Sequence, residues 1–339
     1  MRAFVITGPR QTVVADAASP VAAPGQAVID VERAGVCGTD AEFFTGEMAY
    51  LHQGHAEYPI RPGHEWCGTV SAVGDGVDPG WLGRRVTGDT MLGCGRCRRC
   101  RAGLHHVCAD RFEIGIRGGW PGALAEQVTA PVTALRELPA AVDAVAGALA
   151  EPGGNALRAV RAAALGPGDL VLVLGPGTIG LLAALFALAQ HAEVHVLGQT
   201  AQSLGFATVL GVHGAWTAET LPALPFDAVI DCSNAPGLPA LALDLVEPGK
   251  RVVYVGLAGS PSLIDTRTMA LKDVTAVGIL GGSPALAGAI EHYAAGTVDP
   301  RPLVAATIGL DEVGDVLAGS TPAGAGPGPK ILIDPRRRG

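Results

Sequence analysis

From Leu170 onward, apolar runs that read as strands alternate with runs that read as helices: DLVLVLG, IGLLAALFALAQ, EVHVLG, QSLGFATVLG, FDAVIDCS, ALALDLV, KRVVYVGLAG and VTAVGIL. A chain patterned this way has few options, because parallel strands need long crossovers and those crossovers are helices. A parallel sheet flanked by helices is expected. At its first strand-to-helix turn stands GPGTIG, which places Gly175, Gly177 and Gly180 in GxGxxG spacing. In a chain holding 48 glycines such a pattern arises easily by chance, but here the strand before it and the helix after it supply the required context. The first glycine permits a tight turn, the second lets a pyrophosphate approach the backbone, and the third packs helix on strand. Dinucleotide binding follows.

Which dinucleotide is less sharply written. Roughly 20 residues after such a turn, an NAD site usually places an acidic residue on the ribose hydroxyls. Gly198 stands there instead, followed by Gln199 and Thr200. Without a carboxylate nothing repels a 2′-phosphate, which favours NADP(H), yet no Lys or Arg occurs between Gln199 and Gly249 to pair one. NADP(H) is the expected cofactor and NAD(H) the alternative, with Gln199, Thr200 and Ser203 as neutral donors.

Before residue 152 the chain is rich in Gly and Pro, with short strand-like runs AVIDVE, CGTVSAVG, RRVTGD and LAEQVTAP. These suggest an irregular all-β unit. At 339 residues the chain exceeds the roughly 250–300 at which a single core stops growing, so two domains are expected. A net charge of −8 argues against nucleic acid as a partner. The opening MRAFVITGPR reads as a strand without the apolar core of a signal peptide, and the apolar helix near Ile179 is too short to span a bilayer. A cytoplasmic location and no membrane partner are expected.

Five of the seven cysteines fall into two sets. Cys94, Cys97, Cys100 and Cys108 crowd into GCGRCRRCRAGLHHVC, where one loop can wrap four sulfurs around a tetrahedral metal. Four thiolates close the shell, so this site is structural. A disulfide framework is the rival reading, but CxxCxxC spacing is too tight for two unstrained bridges. The neighbouring Arg96, Arg98, Arg99 and Arg101 read as charge balance around an anionic zinc–thiolate group. Upstream, Cys37 in GVCGTD and His64 and Glu65 in PGHEW, later joined by Glu151 in LAEPGG, form a harder, mixed set. Three protein ligands leave a position for water or a substrate oxygen, the arrangement of catalytic zinc. Cys67, close to His64, is a minor rival ligand, and Cys232 reads as a buried thiol.

Taken together, GVCGTD, PGHEW, the four-cysteine lobe, the AEP of Ala150–Pro152, GPGTIG, VIDCS and VVYVGL resemble the zinc-containing medium-chain dehydrogenase/reductases, the group of alcohol, sorbitol, threonine and glucose dehydrogenases. The resemblance covers essentially the whole chain. It implies an α/β protein in which a GroES-like irregular β catalytic domain, 1–152 with 288–339 and a zinc lobe at 94–108, is interrupted by a doubly wound Rossmann domain at 153–287. It also implies two zinc ions per chain, one catalytic and one structural, and cofactor contacts from Thr178, Ile179 and Leu257 besides the three glycines. Zinc and nicotinamide would meet in the cleft between domains.

Residue roles come with the resemblance. Cys37, His64 and Glu65 would hold the catalytic zinc, with Glu151 as a fourth ligand or a partner of the metal's water. Thr39 would accept the substrate hydroxyl's proton, and Asp40 would bond the free nitrogen of His64, as carboxylates behind metal-bound histidines do. Where many relatives carry a His that finishes the proton relay, this chain has Glu42, which would relay protons, contact a substrate hydroxyl or face solvent. The segments 43–58 and 111–120 fall where relatives line the pocket, and they carry Glu47, Tyr50, His52, His55, Glu57, Arg117 and Trp120. So polar a lining suits a polyol, sugar or cyclitol secondary alcohol. A simple secondary alcohol or an amino alcohol such as threonine is the alternative substrate, and a non-catalytic nucleotide-binding redox sensor the alternative of another class. Family habit implies a homodimer or homotetramer.

Overall fold

Two kinds of strand are written into this chain, and each builds its own sheet. The computed structural model describes residues 1–338. Its contacts divide the chain into a first unit, Met1–Glu151 with Val304–Gly326 and the segment from Lys330 on, and a second, Pro152–Leu303 with Pro327–Pro329.

The first unit is β-rich. Its seven-stranded sheet centres on the strand Gln26–Gly35, which pairs antiparallel with Glu65–Val73, Gln127–Pro131 and Lys330–Ile333. Register shifts at Val28/Ile29 and Val31/Arg33 mark bulges, which bend and twist a strand. Phe4, Ile6, Ile29, Phe43, Trp66, Ile114 and Leu124 are fully buried in one core. Trp66 anchors the start of Glu65–Val73, so truncating it to Ala would cost about 3–5 kcal/mol and loosen the residues on either side. The C-terminal return matters for the site, because Leu332 faces Gly35 and Ile333 faces Ala34 in register.

The second unit holds six parallel strands: β1 (Leu170–Leu174), β2 (Glu193–Leu197), β3 (Gly214–Trp216), β4 (Phe226–Asp231), β5 (Val246–Tyr254) and β6 (Thr275–Gly278). Their order is β3-β2-β1-β4-β5-β6, so the winding reverses between β1 and β4. That is a Rossmann sheet with its switch point. β1 is buried along nearly its whole length, which is why its sequence is a continuous apolar run and not an alternation. The helix Thr178–Ala189 is buried over most of its surface, as expected of a helix apolar all round.

The chain's return differs from the expected 288. Residues 288–303 pack with the second unit, and the first resumes at Val304. The helix Leu286–Ala295 explains this, since Tyr293 stacks on Phe186 at 6.1 Å and His292 meets the same ring edge-on at 5.3 Å. Among the described residues no helix is long and apolar enough to cross a membrane.

Candidate metal centres and nucleotide turn

Cys37 lies just beyond the central strand and caps the helix Gly38–Thr45, while Glu65 opens the strand paired with it, opposite Gly35, and His64 immediately precedes it. One ligand atom from each of Cys37, His64 and Glu65 falls within 4.8 Å of the others. His64 and Glu65 are buried. Gly35 makes room for this, because a Cβ there would lie 2.1 Å from a Glu65 oxygen. Burial alone would depress the His64 pKa, but the neighbouring Cys37, Asp40 and Glu151 raise it well above its ordinary value. Acidic side chains gathered around one imidazole favour a cation at this place. Glu151 is near enough to act on His64 by its charge but stands outside the close-set trio.

Asp40 takes a different post from the one expected. Its Oδ1 lies 3.9 Å from His64 Nδ1, too far for a hydrogen bond. It accepts instead from the Cys37 N–H at 2.8 Å and the Gly63 N–H at 3.3 Å. Fully buried, it closes the capping box of its helix and holds the two ligand-bearing loops together through their backbones. Burial raises its pKa. Thr39 sits half-buried on the same first turn. Glu42 is half-buried one turn on, its pKa raised by burial and then by Glu47.

One residue of this site escaped the sequence reading. Lys330, 2% exposed, donates to both Glu65 oxygens at 2.9 and 2.6 Å and to the Val36 carbonyl at 2.8 Å. Its three protons are thereby spent. Burial lowers its pKa, but Glu65, Cys37 and Asp40 more than offset this and raise it, so the ammonium persists. The signal was present as a lone lysine opening the apolar strand KILI.

The lobe is simpler. All four cysteine sulfurs lie within 4.8 Å of one another, Cys94 4.0 Å from Cys100 and Cys97 3.8 Å from Cys108. The edge of a tetrahedron with Zn–S bonds of about 2.3 Å is about 3.8 Å, whereas a disulfide is about 2.05 Å. The cysteines are free thiols at metal spacing. Backbone N–H groups of Arg96 and Cys97 lower the Cys94 pKa to about 6, favouring the thiolate a metal needs. His105, between the third and fourth cysteines, pairs with Asp89 at 2.6 Å and ties the lobe to the sheet. Cys67 is no ligand of either set: its thiol donates to the Ala144 carbonyl at 3.0 Å, and burial pushes its pKa up to about 12.

The polar loop is largely occupied with itself. Tyr50 donates to Glu113 and accepts from Arg111, Arg117 lies over its ring at 5.5 Å, and His55 meets that ring edge-on at 5.6 Å. Trp120 donates to Thr129 and His52 bonds Gly46. Glu47 and Glu57 remain exposed. Arg111 and Glu113, which organise the cluster, carried no sequence signal beyond their charge.

In the second unit Gly175 adopts φ +95°, and Gly177 caps the helix Thr178–Ala189. A Cβ on Gly180 would meet the Gly175 carbonyl at 1.9 Å, so the third glycine does bring helix onto strand. At Gly198 a Cβ would lie 2.8 Å from the Pro176 ring and 3.0 Å from Leu204. Thr200 caps the helix Ala201–Val209 and bonds Ser203 through both hydroxyls at 2.7 Å. Cys232, expected to be a buried thiol, is only partly buried, and loss of solvation pushes its pKa up.

A cation site on an irregular β unit, joined in one chain to a dinucleotide-type sheet, defines a metal-dependent, nucleotide-linked oxidoreductase. Residues 23–140 match the alcohol dehydrogenase GroES-like domain and residues 178–295 the zinc-binding dehydrogenase domain. The chain is 31% identical to the 2-dehydro-3-deoxy-L-galactonate 5-dehydrogenase of Pseudoalteromonas atlantica, over 87% of each protein. It is 28% identical to the L-threonine 3-dehydrogenase of Idiomarina loihiensis, over 78% of this chain and 80% of that one. A solved zinc-binding dehydrogenase of Sinorhizobium meliloti, bound to NADP, superposes with a TM-score of 0.89 at 28% identity, covering 98% of this chain and 99% of that one. The chain belongs to the zinc-containing medium-chain dehydrogenase/reductase family and is a zinc-dependent, NAD(P)-dependent alcohol or polyol dehydrogenase.

Proposed function

We propose that the protein transfers hydride between the carbinol carbon of a secondary alcohol group in a polyhydroxylated small molecule and NADP, with two zinc ions per chain. The observation that carries the reading is the buried convergence of Cys37, His64 and Glu65. These residues, with Glu151 as a direct or water-mediated fourth, hold the catalytic zinc, and the four lobe cysteines hold the structural one. When bound, the catalytic zinc is a Lewis acid of the kind that lowers a water's pKa from 15.7 to about 7, on the order of 12 kcal/mol of anion stabilisation.

The protein's own groups do the rest. Thr39 takes the substrate hydroxyl's proton. Glu42, whose raised pKa suits a carboxyl able to carry a proton, passes it outward. Asp40 fixes Cys37 and Gly63 through their backbones, and Lys330 limits how far Glu65 can advance by occupying both its oxygens. The nicotinamide cofactor lies at Gly175, Gly177, Thr178, Ile179 and Gly180, with Leu257 as a further contact. Crowding at Gly198 leaves no place for the carboxylate that would repel a 2′-phosphate, which supports NADP. Thr200 and Ser203 are committed to their helix cap, so Gln199 is the donor left beside that phosphate.

A sugar-acid dehydrogenase among the relatives supports the polyhydroxylated substrate, and the threonine dehydrogenase supports an amino alcohol as the second reading. The edge strand β6 is exposed, and in the chain just before it Leu263 and Leu271 are 90% and 88% exposed. Such an apolar edge supports a homo-oligomer formed through it.

Absorbance at 340 nm tests the reading, with polyols, sugar acids, cyclitols, threonine and simple alcohols offered against NAD⁺ and NADP⁺, with and without a chelator. Chelator-sensitive NADP⁺ reduction by a polyhydroxylated substrate is expected. Turnover confined to threonine, or to NAD⁺, would replace the corresponding half of the proposal.

A further inference from the structure

We propose that Asp231 is a positioning residue for the dinucleotide, acting through Ser233 on the first glycine of the phosphate turn; this rests on reading the second unit as the NAD(P) site. Asp231 ends β4, where it faces Leu174 of β1 and Tyr254 of β5 in register. It therefore stands at the switch point, where the crevice of such a sheet opens. A carboxyl only 1% exposed is costly there unless its bonds are satisfied.

Those bonds tie two turns together. The Oδ1 atom accepts from the Ser233 N–H at 3.0 Å and the Ser233 hydroxyl at 2.7 Å. The Asp231 main-chain oxygen accepts from Val255 N–H at 2.9 Å and Gly256 N–H at 3.0 Å, where β5 leaves the sheet. Ser233 is in turn enclosed from both sides. A Cβ on Gly175 would lie 3.3 Å from its Cα and Cβ, and one on Gly256 would lie 1.7 Å from its carbonyl oxygen. Gly175 thus needs to be glycine twice over, for its positive φ and for the serine packed against it.

Three strand ends meet around one serine whose orientation a buried carboxylate sets. The phosphate turn is shaped from the neighbouring strand as well as by its own glycines, and Leu257, the residue after Gly256, is placed by the same tie. Cys232, partly buried and lying between the two in sequence, takes no part: desolvation and then the charge of Asp231 push its thiol pKa up.

The test compares full-length, zinc-loaded wild type with Asp231→Asn, Asp231→Ala and Ser233→Ala, reading NADPH and NADH dissociation constants by fluorescence alongside zinc content and Tm. Asp231→Ala is expected to weaken cofactor binding about tenfold with zinc content unchanged. Asp231→Asn, whose amide oxygen still accepts both Ser233 bonds, is expected to restore most of that binding. A lowered Tm with unchanged cofactor affinity would reduce Asp231 to a structural role and overturn the proposal, as would Asn failing where Ala fails. Should Asp231→Ala not fold, Ser233→Ala decides: weakened cofactor binding supports the proposal and unchanged binding overturns it. If wild type binds neither cofactor, the dinucleotide reading itself has failed, a result separate from any difference among variants.

Discussion

The four-cysteine lobe and the Cys37/His64/Glu65 trio are both gatherings of metal-ligand side chains, but they are assembled in opposite ways. The lobe draws every ligand from one loop, Cys94 to Cys108. The trio joins a helix cap, the start of a paired strand and, through Lys330, a strand from the far end of the chain. A local set is closed and identical in its donors; a long-range set is mixed, braced from behind and open. The lobe lies outside the seven-stranded sheet, whereas Glu65 of the trio opens one of that sheet's paired strands.

Several substitutions would break or sharpen that contrast. The largest effect is expected from Cys37→Ser, which should lower kcat/KM by about 10³-fold or more, equivalent to about 4 kcal/mol, while metal analysis still finds the lobe's zinc. If activity survives, the open site is not the catalytic one. Next comes Lys330→Met, which leaves Glu65 buried without its cation; urea unfolding of zinc-stripped protein should show a loss of about 3–5 kcal/mol, against a smaller loss when zinc is restored. An equal loss in both states would mean that Glu65 does not see the metal.

A lobe variant, Cys100→Ser, is expected to act on stability more than on chemistry. A loss of about 2 kcal/mol would lower Tm by roughly 4–8 °C, with kcat of the folded enzyme little changed, and calorimetry beside the 340 nm assay separates the two. The smallest effect concerns the lobe's tether. Hydrogen bonding to Asp89 raises the pKa of His105 above its ordinary 6.5, so the folded state binds this proton more tightly than the unfolded chain. That contribution is complete below about pH 6.5 and fades as pH rises through the raised pKa. His105→Gln should therefore flatten the stability profile on that alkaline side and leave the trio's activity untouched.

How legible each region was follows from the same contrast. The lobe could be read from spacing alone because its ligands are neighbours in sequence. The Rossmann sheet was equally plain, since strands buried on both faces read as apolar runs and GPGTIG stands between one such run and a helix. Asp40 was placed at the right site with the wrong partner: sequence shows which carboxylate is near, but 3.9 Å against 2.8 Å is a matter of packed loops. Lys330 went unseen because the lone lysine of KILI does not show its partner, which strand pairing between Gly35 and Leu332 brings from a distant part of the chain. The polarity of the 43–58 and 111–120 segments was legible but their partners were not, as Tyr50, His52 and Trp120 are satisfied by their own neighbours in space.

The cation that meets Glu65 also sets a clock on the making of this enzyme. Val36 and the Lys330 that bonds it are 294 residues apart. At ribosomal speeds of about 5–20 residues per second, roughly 15 to 60 seconds pass between their emergence. For most of that interval the nascent Cys37, His64 and Glu65 exist without the strand that closes behind them, so a translating ribosome holds the gathered side chains before the lysine that fixes Glu65 has been made.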